Sequence, residues 1–177
     1  MKPENLIPTS TSRSRIRSSA TKVCTDAVFS SKRHFEAGDY FSRWSTRAAA
    51  VIATLTVITA SSLLLSNPQL TLMREALALA AAVVASVVGV YNPAKRATRH
   101  HQHGDGYSRL WKEVQHFMDT EIDNPAVPEK ALQRELSQFL KRLEALNSSA
   151  IDDAPPSWVY EQVRYGVEGG EADYDEK

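Results

Sequence analysis

Apolar residues are concentrated in the middle of the chain, in two runs that follow each other closely. The first run, Ala48–Ser66, has 19 residues and no ionisable side chain. At about 1.5 Å per residue it makes a helix of roughly 28 Å, close to the roughly 30 Å hydrocarbon core of a bilayer. The second run, Ala76–Tyr91, follows the break at Asn67-Pro68, since proline interrupts a helix. The pattern predicts a tight helical hairpin with spans over 47–66 and 71–91.

A soluble bundle of buried helices is the alternative interpretation of these runs. The surface helices of such a bundle carry polar residues on their outer face at 3.6-residue spacing. Both runs are instead apolar all round and interrupted only by hydroxyls, which favours membrane spans. No ionisable residue lies inside either run, and this argues against a coupled transporter, because such proteins use intramembrane ionisable groups.

Small and hydroxyl-bearing residues mark one face of each predicted span. In the first span, four hydroxyls fall within an arc of about 120° on a helical wheel: Thr56, Thr59, Ser62 and Ser66. In the second span, four small residues recur at spacings that allow close helix approach: Ala78, Ala82, Ser86 and Gly89. Helix packing and a weakly polar pore lining both remain open for these residues. A pore requires several copies of the chain, because two helices cannot enclose one.

Amphipathic helices are predicted before and after the hairpin, so the fold class is all-α. A weak helical signal over 21–47 leads into the first span, and clear 3–4 spacing predicts helices over 107–122 and 128–147. A short helix is predicted over 157–166. In the 128–147 helix, apolar residues alternate at spacings of 4, 3, 4 and 3, which indicates an oligomer seam or packing within one protomer: Leu132, Leu136, Phe139, Leu143 and Leu146.

Charge is distributed unevenly along the chain. Residues 1–47 hold nine Lys/Arg against four Asp/Glu, 48–94 hold only Arg74 and Glu75, and 95–177 hold eleven against sixteen. Because positive flanks stay on the cytoplasmic side, both termini are predicted to be cytoplasmic in a multi-pass protein of the cell membrane. A disordered basic arm is predicted over 1–20 and a disordered acidic tail over 167–177. The first apolar run begins too late for a cleavable secretory signal.

Composition argues against several classes of chemistry. The 177 residues carry a net charge of zero, whereas nucleic-acid binders are usually basic, so no nucleic-acid partner is expected. Cys24 is the single cysteine, which excludes an internal disulfide and a cysteine-based zinc site. There is no glycine-rich phosphate loop and no recognisable spacing of nucleophile, base and acid. The protein is therefore predicted not to be an enzyme, with no catalytic residue and no cofactor.

A group of histidines after the second span has the residue types of a metal site. It continues into Gly104-Asp105-Gly106, a stretch in which ligands would lack the fixed geometry that cation sites require. We interpret it as a solvated linker rather than a metal site: His100, His101, His103 and Asp105.

The chain over 21–166 resembles the SLATT family, the SMODS- and SLOG-associating two-transmembrane effector domain. The resemblance rests on the leading helix, the hairpin, the leucine-rich helix, and the segments YNPAKRATRHHQHGDGYSRLWKEV and DAPPSWVYEQVRYGV. It implies a membrane effector of prokaryotic conflict systems that forms pores or disrupts membranes when a nucleotide-sensing or nucleotidyltransferase partner signals infection. No sensor module is present in this sequence, so the trigger would act in trans.

Two functions are therefore expected as alternatives. The first is an oligomeric two-span effector of antiviral defence that acts on the lipid bilayer. The second is a membrane-anchored helical interaction or scaffold protein that forms no pore.

Overall fold

The computed structural model describes residues 10–64 and 71–168, with side chains over 12–61 and 71–164. All regular structure in this part of the chain is helical, which confirms the all-α prediction. A short 3-10 turn, Ile151–Asp153, precedes the last of five helices: α1 (Ser10–Leu64), α2 (Thr71–Tyr91), α3 (Pro93–Thr120), α4 (Glu129–Ser149) and α5 (Ser157–Glu168). Helix α2 has the same bounds as the predicted second span, whereas α1 joins the predicted leading helix and first span in one element.

The helices belong to two compact units. The first unit runs to Glu36 and resumes at His100, so it contains the beginning of α1, most of α3, and α4 and α5. The second unit is Ala37–Arg99, which contains the rest of α1, helix α2 and the first residues of α3.

The core of the first unit joins α1, α3 and α4. Helix α1 contributes residues at spacings of 4, 3 and 4, and α3 contributes residues at spacings of 3, 4 and 3, so each helix buries one stripe. Each fully buried large apolar side chain stabilises the fold by roughly 1.5–3 kcal/mol. The buried stripes of α1 and α3 are Ile16, Ala20, Val23, Ala27, Tyr107, Leu110, Val114 and Phe117.

The disordered arm predicted over 1–20 is wrong for residues 10–20, which form the first turns of α1. Ile16 and Ala20 are buried in the core, and burial of this apolar stripe stabilises the helix despite its basic composition. The guanidinium of Arg13 also donates hydrogen bonds to the carbonyls of Ile122 and Val127, the latter at 2.8 Å. Residues 1–9 lie outside the described part of the chain.

The flexible linker predicted around Gly104-Asp105-Gly106 is also wrong, because α3 runs without a break from Pro93 to Thr120. A Cβ atom placed on Gly104 would lie 3.0 Å from Cδ1 of Phe35, and one on Gly106 would lie 2.8 Å from Cδ2 of Leu146. These glycines therefore allow α1 and α4 to approach α3 closely. They serve packing rather than flexibility.

A single residue, Asn92, separates α2 from α3. Its φ of 45° is left-handed, a conformation that asparagine tolerates better than most residues. The Asn92 side-chain oxygen accepts a hydrogen bond from the Lys95 backbone N–H at 3.2 Å, which caps the first turn of α3. Pro93 occupies the first helical position, where its missing N–H has no helical partner to lose.

The predicted cytoplasmic helices correspond to parts of the observed ones. The predicted 107–122 helix corresponds to the second half of α3, which begins earlier, at Pro93. The predicted 128–147 helix corresponds to α4. The 157–166 helix corresponds to α5, which continues to Glu168. The rest of the predicted acidic tail, 169–177, lies outside the described residues.

Candidate functional site: an exposed apolar helix pair and a buried histidine cluster

The second unit exposes an extensive apolar surface. One helical stretch among the described residues is long and apolar enough to cross a membrane; it begins at Thr71, and none of its most apolar part is buried. Val90 is 91% exposed and Leu72 is 79% exposed. Soluble monomers rarely expose large contiguous apolar patches, so this surface indicates contact with lipid or with other protein. The predicted first span ends at Ser66, outside the described residues.

Half-buried positions in the second unit follow a spacing of 3 and 4 residues on both α1 and α2. This is the spacing of two helices that pack side by side along a narrow seam. On α1 these positions are Ile52, Leu55 and Thr59, and on α2 they are Arg74, Leu77, Ala81, Val84 and Val88. Thr71 at the beginning of α2 is also half-buried, and the remaining residues of Thr71–Tyr91 are exposed.

The predicted hydroxyl face lies partly on this seam. Thr59 is half-buried there and Thr56 is exposed. Their hydroxyls donate hydrogen bonds to the carbonyls of Leu55 and Ile52, each at 2.8 Å and each four residues earlier. This internal bonding lowers the penalty of placing a hydroxyl in an apolar environment. The side chain of Ser62 and the whole of Ser66 lie outside the described residues.

The predicted small-residue face of α2 does not pack against α1. All four of its residues, Ala78, Ala82, Ser86 and Gly89, are exposed in the single chain. A Cβ atom added to Gly89 would meet nothing within 4 Å, and the Ser86 hydroxyl donates to the Ala82 carbonyl at 2.8 Å. The face is therefore open and available for packing outside the chain.

The prediction of an oligomer seam on α4 is wrong. Leu132, Phe139 and Leu143 are buried in the core of the first unit, and Leu136 and Leu146 pack against it. The chain itself covers this stripe, because α1 and α3 both contribute side chains to the same core. Packing within one protomer, the other interpretation of the spacing, is therefore the correct one.

Two histidines from distant parts of the sequence meet inside the first unit. His34 of α1 and His100 of α3 are each 3% exposed, and their Nδ1 atoms lie 3.1 Å apart. The His34 ring centroid is 5.2 Å from that of His103, and the His34 ring stacks on Tyr107 at 5.6 Å and 20°. We call these four residues the histidine cluster. Its burial contradicts the solvated linker expected for His100 and His103.

The surroundings of the cluster keep His34 neutral. Burial lowers the pKa of His34 to about 3, because a charged ring would lose its hydration, and His100, His103 and Arg33 lower it further. Asp153 acts in the opposite direction; its Oδ2 atom lies 3.7 Å from Nε2 of His103. Neutral imidazoles have one donor and one acceptor nitrogen, so a single N–H···N hydrogen bond joins His34 to His100.

Arg33 places a permanent positive charge beside the cluster. Its guanidinium lies over two aromatic rings, 5.4 Å from the centroid of Tyr160 and 5.8 Å from that of Phe29. Its Nε atom is buried without a hydrogen-bond partner. This positive charge opposes protonation of the nearby His34 ring.

The cluster does not have the arrangement of a metal site. Over the described ranges 10–64 and 71–168, no three His, Cys, Asp or Glu side chains are arranged to hold a metal ion. Cys24 is half-buried, and burial raises the pKa of its thiol, which makes it a poor nucleophile. What the cluster can do is respond to protonation.

A groove of about 340 Å³ opens between α3 and α4, with Phe117 and Phe139 among its lining residues. Partial burial raises the pKa of the Glu135 carboxyl, and the neighbouring Glu121 raises it further. At the rim, Arg142 forms an ion pair with Glu113.

Sequence reasoning missed His34, which lies 66 positions from its partner. Periodicity offered a weak signal, since His34 lies seven residues after Ala27 and so falls on the same face of the helix. Only the antiparallel placement of α1 and α3 within the first unit brings His34 to His100.

Comparison with known proteins adds no relative. No protein-family model, no curated protein and no solved structure matches this chain.

Proposed function

We propose that this protein is a two-span membrane effector that works as an oligomer, with both termini in the cytoplasm. The single observation that carries the proposal is the apolar surface of the second unit, which a protein in water would not leave exposed. Hydroxyls along it are bonded to their own helix, as lipid exposure requires. The resemblance to the SLATT family extends the proposal to pore formation or membrane disruption, triggered in trans by a nucleotide-sensing or nucleotidyltransferase partner.

Membrane insertion is tested first. The protein should remain in the membrane pellet after a carbonate wash at pH 11, and recovery of the full chain in the supernatant would refute the proposal. Topology is tested in a Cys24→Ser background with a membrane-impermeant maleimide. Gln69→Cys, between the proposed spans, should react in intact cells, whereas Gln102→Cys on α3 should react only after lysis. Equal labelling of both variants would contradict the hairpin.

The small-residue face offers a test of assembly. Ala82 lies on this face and Ala80 lies on another side of α2, and both are exposed. We expect Ala82→Leu to prevent close helix approach and reduce crosslinked oligomers, whereas Ala80→Leu should leave them unchanged. Equal effects of the two substitutions would argue against this face as the interface.

A membrane-anchored scaffold is the second candidate function, and the self-contained core of the first unit favours it. A membrane-potential dye separates the two. The effector requires depolarisation of expressing cells when the activating partner is present, and Ala82→Leu should suppress it. A scaffold predicts that unrelated apolar helices can replace both spans without loss of function.

A further inference from the structure

Basic residues gather at one end of the second unit. Arg43 and Arg47 lie on α1, and three more bases follow α2 on α3: Lys95, Arg96 and Arg99. The ring centroid of Trp44 lies 4.8 Å from that of Tyr91, which brings these two stretches to the same level of the helix pair. We call the five residues the basic end.

Arg96 is held in place at this end by Tyr91. Its Cζ atom lies 4.2 Å from the Tyr91 ring centroid, and its Nε–H donates a hydrogen bond to the Tyr91 carbonyl at 3.3 Å. These contacts leave the two terminal nitrogens of the guanidinium without a partner among the described residues. A planar guanidinium with two free N–H₂ groups fits a phosphate in a bidentate manner, and its fixed position reduces the entropy lost on binding.

The neighbours of the basic end indicate where it lies relative to lipid. It follows directly on the exposed apolar surface of α2, so the proposed membrane insertion would place it at the level of the lipid headgroups. Trp44 and Tyr91, whose rings stack edge to face, are residue types that concentrate at membrane interfaces. The segments 37–47 and 91–99 contain one acidic residue, Asp39, against the five bases. The net charge of this end is therefore positive.

We propose that the basic end binds the phosphate groups of anionic phospholipids, with Arg96 as the principal contact. This inference rests on the proposed membrane insertion and adds a preferred lipid class to it. Charge complementarity carries the proposal: each base near an anionic surface contributes about 1 kcal/mol, which is about fivefold in association. The attraction acts within a Debye length, about 8 Å at physiological salt.

The test uses the full chain reconstituted in phosphatidylcholine bilayers with spin-labelled phosphatidylglycerol or spin-labelled phosphatidylcholine. We expect the protein to retain phosphatidylglycerol several-fold more strongly, and 1 M NaCl to reduce this preference. The triple variant Arg47→Gln, Lys95→Gln, Arg96→Gln should remove most of it, since Arg43 and Arg99 remain. Arg96→Lys should weaken the preference for phosphatidylglycerol, because lysine keeps the charge but lacks the planar guanidinium that binds phosphate in a bidentate manner.

A matched control removes the same charge elsewhere. Lys130, Arg134 and Lys141 are exposed on α4 in the first unit, and their triple replacement by Gln should preserve the preference. Equal loss in both triple variants would overturn the assignment to the basic end. Competition by millimolar glycerol phosphate would show a site for soluble anions instead, and would also overturn it.

Failure of this inference is distinguishable from failure of the proposed function. Equal retention of both lipids by a protein that resists carbonate extraction overturns the lipid preference and leaves membrane insertion intact. Release of the chain by carbonate overturns both.

Discussion

The Nδ1 atoms of His34 and His100 lie 3.1 Å apart in the interior of the first unit, where each residue is almost completely buried. One ring donates its proton to the other, so this contact requires at least one neutral imidazole. His103 and Arg33 add further positive charge nearby. The packing of α1 against α3 at this point therefore depends on the protonation state of the histidine cluster.

Acidification should destabilise the first unit. The pKa of His34 is lowered to about 3 in the folded chain, against about 6.5 when unfolded. The unfolded chain therefore binds more protons below pH 6.5, and stability falls as the pH falls from 6.5 toward 3. The loss is at most about 2 kcal/mol between pH 6.5 and 5, since one proton contributes about 1.4 kcal/mol per pH unit.

Chemical denaturation of the detergent-solubilised chain at pH 7.5 and pH 5 measures this loss. His34→Gln should lower stability at pH 7.5 and flatten its pH dependence. His116 lies exposed on α3, so His116→Gln should keep the wild-type slope. An unchanged slope in His34→Gln would show that other groups set the pH dependence.

Gly104→Ala should destabilise the first unit by about 1 kcal/mol. The new methyl group would lie 3.0 Å from Phe35; overpacking costs about 1–3 kcal/mol, and the better helix propensity of alanine returns about 1 kcal/mol. In a Phe35→Leu background the same substitution should become stabilising, because the ring is gone. If these glycines provided flexibility, Gly104→Ala would stabilise the protein in both backgrounds, and denaturation midpoints would show it.

Leu132→Ala should cost about 2–5 kcal/mol of unfolding free energy. Leu132 is fully buried in the core that α1, α3 and α4 share, and truncation leaves a cavity. Leu140, on the same helix, is 47% exposed, so Leu140→Ala should change stability by less than about 0.5 kcal/mol. A loss that disappears at high protein concentration would instead place Leu132 between protomers.

Arg13→Gln should destabilise the junction of α3 and α4 by about 1–3 kcal/mol, because the carbonyls of Ile122 and Val127 would lose a charged donor. Arg15 is exposed on the same helix turn and serves as the control through Arg15→Gln. Hydrogen exchange of amides over 121–131 should increase in the first variant alone. Equal exchange in both variants would mean that the hydrogen bonds of Arg13 do not stabilise this junction, because both substitutions remove one positive charge.

Local patterns predicted the elements that local forces determine. The break at Asn67-Pro68 and the apolar run after it predicted α2, and the spacing of Leu132, Phe139 and Leu143 predicted the apolar stripe of α4. Both depend on residues within one helix, so a single sequence contains the necessary signal.

Features that depend on distant residues were not predictable in the same way. Gly104 has the appearance of a flexible residue until Phe35 is placed against it, and His34 has no visible partner until α1 and α3 are paired. The basic composition of the first twenty residues concealed the stripe that includes Ile16 and Ala20. The hairpin and its orientation remain predictions that the experiments above address.

The exposed hydroxyls of Thr56 and Ser86 both use their protons on carbonyls of their own helices. Each oxygen is left with lone pairs alone, so it can accept a hydrogen bond but has none to give. Water-filled space bordered by such oxygens would solvate sodium or potassium and offer nothing to chloride. Assemblies that turn these residues toward a lumen should therefore conduct cations in preference to anions.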